Sequence, residues 1–81
     1  MTISEYVGKQ IKKHRKRSGL TIEEFSQKIG KSKATVSKYE NGAISIDIET
    51  LQEIADALEI PMDEMKRLER AYQNANENDD Y

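Results

Sequence analysis

Apolar residues recur along this chain at helical rather than strand spacing. Ile3, Val7, Ile11 and His14 share one face and predict a first helix over residues 4–17. Ser18-Gly19 follows, and Gly is the favoured residue just past a helix end. Thr21 and Glu24 have the three-residue spacing of a capping box, with Leu20 and Phe25 placed as its hydrophobic staple. They open a second helix, 22–29, whose apolar face is Ile22, Phe25 and Ile29 and which Gly30 stops. Ser32 caps a third helix, 33–40, with Val36 and Tyr39 turned inward and Asn41-Gly42 closing it. Asp47 caps a fourth, stapled by Ile46 and Leu51, with the stripe Ile48, Leu51, Ile54, Ala55 and Leu58. Pro61 opens a fifth, where Met62, Met65, Leu68 and Tyr72 give one apolar face that either completes the core or forms a dimer face. The polar run NANENDDY is expected to fray. The pattern predicts an all-α domain over residues 1–73 and a polar, acidic, flexible tail over 74–81.

Composition narrows the chemistry. With 81 residues there is room for one modest core. The chain has no Cys and a single His, which removes disulfides and thiolate metal sites and argues against a His-built metal site or a conventional triad. Neither a metal nor another cofactor is expected. Acidic pairs such as Glu23/Glu24 and Asp79/Asp80 are adjacent rather than spaced across a cleft, so no enzyme chemistry is expected either. No apolar run approaches the ~20 residues of a membrane span, and no signal-peptide pattern opens the chain, so the expected location is the cytoplasm.

Charge changes the picture more. Residues 1–42 carry ten Lys/Arg against four Asp/Glu, a balance of +6, whereas residues 43–81 stand at −8. A net charge of −2 conceals this division. A basic half suits a polyanion, and an acidic half suits a protein partner or limits indiscriminate binding.

The third helix breaks a local rule. Helix N-termini favour acids, as Glu23/Glu24, Asp47/Glu49 and Asp63/Glu64 illustrate. Helix three instead has Lys31 and Lys33 at its start and Glu40 at its end. Such a start attracts anions, because backbone N–H groups and ammonium groups converge on the same space.

Two short helices joined by Gly30-Lys31-Ser32 have helix-turn-helix form. The stretch GLTIEEFSQKIGKSKATVSKYENG resembles the Xre/Cro/cI-like helix-turn-helix proteins, the phage-repressor-like DNA-binding domains. The resemblance extends over roughly residues 7–65, from VGKQIKKHRKRSG through the YENG signature to TLQEIADALEIPMDEM. It implies a compact five-helix, lambda-repressor-like fold whose third helix enters the DNA major groove.

Carried onto this chain, the resemblance makes Lys33, Ala34, Thr35 and Lys38 base readers. Lys33 suits guanine O6/N7, Ala34 a thymine methyl, and Thr35 either base type. Thr21, Ser32, Ser37, Asn41, Lys16 and Arg17 become phosphate contacts, and Arg15 and Glu40 a structural ion pair. The chain departs from the family at Ile22, which stands where a polar phosphate-contacting residue is common. Residues 43–46 likewise lack the Lys or Arg that often follows the signature Gly, which implies a shallower salt dependence. His14 occupies a usually apolar position and is expected to pack, partly buried, with one hydrogen bond.

The function implied is a sequence-specific transcriptional regulator, a repressor in kind. It would act as a homodimer on an inverted repeat of double-stranded DNA, since one module buries little surface. Two alternatives share the fold: an antitoxin that autoregulates and neutralises a toxin through its acidic C-terminal half, and a protein-interaction module that has left DNA.

Overall fold

The computed structural model describes the backbone of residues 1–79 and the side chains of residues 1–74. Its elements are α1 (Ile3–Arg17), α2 (Ile22–Ile29), α3 (Lys33–Asn41), α4 (Ile48–Leu58) and α5 (Met62–Asp79). No strand occurs among the described residues. None of these helices is long and apolar enough to cross a membrane.

The starts of α1 to α4 are each fixed by a side chain. Thr21, Ser32 and Asp47 sit in extended backbone and accept N–H groups from Glu24, Thr35 and Thr50, which satisfies amides a helix leaves unpaired. Thr2 and Glu5 form a second full capping box, at the same spacing as Thr21 and Glu24. Gly30 and Gly42 end α2 and α3 in left-handed backbone, at φ +66° and +73°. The end of α4 is less expected: Glu59 adopts φ 56° without being glycine.

One core joins all five helices. Val7 and Ile11 of α1, Phe25 and Ile29 of α2, and Val36 and Tyr39 of α3 meet Leu51, Ile54 and Leu58 of α4 and Met65 and Leu68 of α5. Phe25, Ile11, Leu51, Ile54, Leu68, Val7 and Val36 are the largest fully buried side chains. At about 1.5–3 kcal/mol for burying each such side chain, this set is the main force holding the bundle.

Two sequence expectations bear on α5. Met65 and Leu68 belong to the core rather than to a dimer face, because α5 lies against α1 and α4 and turns them inward. Helical backbone also runs past Asn74 to Asp79. Loss of apolar residues there removes a reason to pack, but residues 74–79 hold no Pro or Gly to stop the helix. Of the tail expected over residues 74–81, residues 80–81 lie outside the described residues.

Candidate nucleic-acid interface

The α2–α3 corner is built to turn sharply. Gly30 supplies the left-handed residue, and the Lys31 N–H returns to the Ser26 carbonyl at 3.0 Å. Ser26 is buried, and its hydroxyl donates to the Glu23 carbonyl at 2.7 Å, so the small side chain is satisfied within its own helix. These features set α3 off from α2 while Val36 and Tyr39 anchor it in the core.

What α3 turns outward follows from the 3.6-residue period. Positions 33, 37 and 41 form one row, with 34 and 38 beside it. Lys33, Ala34, Lys38 and Asn41 are exposed, and Thr35 and Ser37 are half-buried. The four predicted base readers therefore occupy an accessible side of a helix whose other side is core. Lys31 and Ser32 are exposed at its start. α3 has no acid in its first turn, whereas α1, α2, α4 and α5 each have at least one. Its N-terminal amides and ammonium groups thus act together on an anion.

Hydrogen bonds sharpen the roles of the hydroxyls. Ser32 Oγ accepts the Thr35 N–H at 3.1 Å and donates its own proton to Thr35 Oγ1 at 3.0 Å. The hydroxyl proton left over at this corner is that of Thr35. Asn41 Nδ2 donates to Ser37 Oγ at 3.4 Å, which joins these two predicted phosphate contacts along the exposed row.

The start of α2 is less receptive to phosphate. The Thr21 backbone N–H donates to Glu24 Oε1 at 2.9 Å, and Thr21 Oγ1 accepts the Glu24 N–H at 3.0 Å. The Thr21 N–H, then its hydroxyl, hold the Glu24 carboxyl below its ordinary value. A carboxylate thus occupies the Thr21 amide expected to anchor DNA and draws on its hydroxyl as well. Ile22 is half-buried against the core, which explains an apolar residue at this position. Lys16 and Arg17 are exposed in the last turn of α1, just ahead of this corner in the chain.

Behind α3 lies the predicted ion pair. Arg15 Nε donates to Glu40 Oε2 at 2.6 Å and Arg15 Nη2 to Glu40 Oε1 at 3.2 Å, while Nη1 donates to the Leu20 carbonyl at 2.7 Å. Both residues are buried. This fork ties α1, the α1–α2 connection and α3 together, and accounts for the acid at the end of α3. His14 is half-buried and bonds to Glu64, joining α1 to α5.

Sequence reasoning missed one residue that positions the helix. A Cβ on Gly8 would collide with the Tyr39 carbonyl oxygen and come 2.7 Å from that of Glu40. Gly8 therefore lets α1 and α3 approach backbone to backbone. A glycine inside an amphipathic helix was the available signal.

The helix-turn-helix family model matches residues 11–65, from within α1 to the second turn of α5. The chain belongs to this Xre/cI-like helix-turn-helix family. The match covers the α2–α3 corner, the exposed side of α3 and both partners of the Arg15–Glu40 pair. No curated protein shows a significant match to the chain. As a helix-turn-helix protein of this family it is a DNA-binding regulator with an all-α, lambda-repressor-like fold.

Of the four α5 residues considered for a dimer face, Met62 alone is exposed, at 72%. Tyr72 is half-buried, and its hydroxyl accepts the Ile46 N–H at 3.3 Å.

Proposed function

We propose that this helix-turn-helix protein is a sequence-specific transcriptional repressor that inserts α3 into the DNA major groove. The observation that carries the reading is the exposed row of α3, where Lys33, Ala34 and Lys38 stand clear of a helix start without acids. In this reading Lys33, Ala34, Thr35 and Lys38 meet base edges. Ser37 and Asn41 touch the backbone beyond them, and Lys16, Arg17 and Thr21 hold phosphates beside α2. Ser32 acts chiefly as the cap that orients Thr35.

The protein acts as a homodimer on an inverted repeat. A single module of this size buries too little DNA surface for operator-grade affinity. Half-sites one helical turn apart are separated by about 34–36 Å, and the shorter dimensions of the domain, 26 and 21 Å, fit that spacing. Selection of bound duplexes from a random pool, followed by a mass measurement of the complex, tests the reading. It predicts an inverted repeat carrying two chains. Retention of random sequence without enrichment contradicts sequence-specific regulation. Binding of a protein to the acidic α4–α5 half, with DNA ignored, favours the interaction-module alternative. DNA and protein bound together favour the antitoxin.

A further inference from the structure

We infer that α3 reads keto edges: the base contacts made by its side chains fall on guanine and thymine, and the amino groups of adenine and cytosine are not used. This rests on the proposal that α3 is the helix in the groove, and deepens it by naming the base chemistry recognised.

The inference comes from which groups α3 turns outward and which it withholds. Its one carboxylate, Glu40, is buried and held by Arg15 at 2.6 and 3.2 Å, so it faces the protein interior. Its one carboxamide, Asn41, is the last residue of the helix and donates toward Ser37. The first two turns therefore present no charged or amide acceptor. They present two ammonium groups, Lys33 and Lys38, and one methyl, Ala34. Thr35 is biased toward donation as well, because Ser32 spends its proton on Thr35 Oγ1 and leaves the Thr35 proton free.

Donors need acceptors. In the major groove guanine offers two adjacent acceptors, N7 and O6, thymine offers O4 and a methyl group, and adenine's one acceptor, N7, sits beside its N6 amino donor, which an ammonium group disfavours. Cytosine N4 and adenine N6 are donors; the side chains suited to them are a carboxylate or carboxamide, which α3 does not place there, and the Thr35 hydroxyl oxygen already accepts from Ser32. Lys33 and Lys38 thus read guanine, and Ala34 with Thr35 reads thymine through its methyl and O4.

Base analogues in the selected duplex test this position by position. Replacing a contacted guanine with 7-deazaguanine removes N7, and replacing thymine with uracil removes the methyl. Replacing adenine with purine removes N6. We expect 7-deazaguanine to weaken binding about 5-fold or more, consistent with the ~1–3 kcal/mol of a good base contact. We expect uracil to weaken it a few-fold, and purine at the same pairs to leave it within twofold. A second arm uses Lys33→Gln, an exposed change that leaves the core intact. Gln offers both a donor and an acceptor, so one guanine position in the selected sequence should shift toward adenine.

Outcomes separate the inference from the reading beneath it. Loss of binding on removal of N6, or Lys33→Gln selecting the wild-type sequence, overturns the keto-edge assignment while α3 remains the reader. Absence of any selected sequence, or selected binding that survives Lys33→Gln, Lys38→Gln and every analogue alike, overturns both.

Discussion

The Arg15 guanidinium grips the Glu40 carboxylate with two nitrogens at 2.6 and 3.2 Å, both side chains buried between α1 and α3. This pair holds α3 against α1. Removing one partner leaves a buried charge alone, at about 3–5 kcal/mol. Arg15→Met and Glu40→Met should each lower the melting temperature strongly, and the double Met variant should recover much of the loss. A thermal melt of the three variants checks this, and unchanged stability of either single variant contradicts it.

Gly8 should tolerate no side chain. Alanine inside a helix normally stabilises by up to about 1 kcal/mol over glycine. Here its Cβ would meet the Tyr39 and Glu40 carbonyl oxygens, so Gly8→Ala should instead destabilise, by about 1–3 kcal/mol. Denaturant unfolding gives the sign directly.

Gly30 and Gly42 separate two reasons for glycine. Both are left-handed, but a Cβ on Gly30 meets open space whereas one on Gly42 would run into the backbone of Glu5, 2.6 Å from its nitrogen. Gly30→Ala should cost about 1–2 kcal/mol for conformation alone, and Gly42→Ala clearly more. Equal costs in chemical melts would show that the Gly42–Glu5 approach carries no weight.

Acid should destabilise the protein through its caps. Thr2 and Thr21 donate to Glu5 and Glu24, backbone N–H first, and Thr50 to Asp47, side chain first; all three carboxyls lie below their ordinary values. A lowered folded value means stability that is present above the unfolded value, ~4, and is lost as pH falls through the folded one. Melting temperature should therefore fall on going from pH 5 toward pH 2. Glu24→Gln should flatten that decline, and an unaltered acid limb would contradict the capping account.

Much of this fold is legible in the sequence because its signals are local. Thr21 with Glu24, Ser32, Asp47, Gly30 and Gly42 mark helix ends through hydrogen bonds and backbone sterics within a few residues. What the sequence hides is set by packing between distant segments. Gly8 is needed only because Tyr39 and Glu40 come up against it, and Glu64 becomes the partner of His14 only when α5 folds back on α1. The apolar row of α5 reads equally as core or interface until α1 and α4 are seen to cover Met65 and Leu68. At the interface, the exposed Lys33, Ala34 and Lys38 are legible from the period of α3. The Ser32–Thr35 hydroxyl pairing depends on rotamers and is not.

On the proposed function, the outer row of α3 is the surface that meets DNA. Amide and side-chain chemical-shift mapping, with the selected duplex titrated into labelled protein, tests it most directly. The largest changes are expected at Lys33, Ala34, Thr35 and Lys38, smaller ones at Thr21, Lys16 and Arg17, and little along α4 and α5. Changes centred on α4 and α5, with α3 undisturbed, would contradict it.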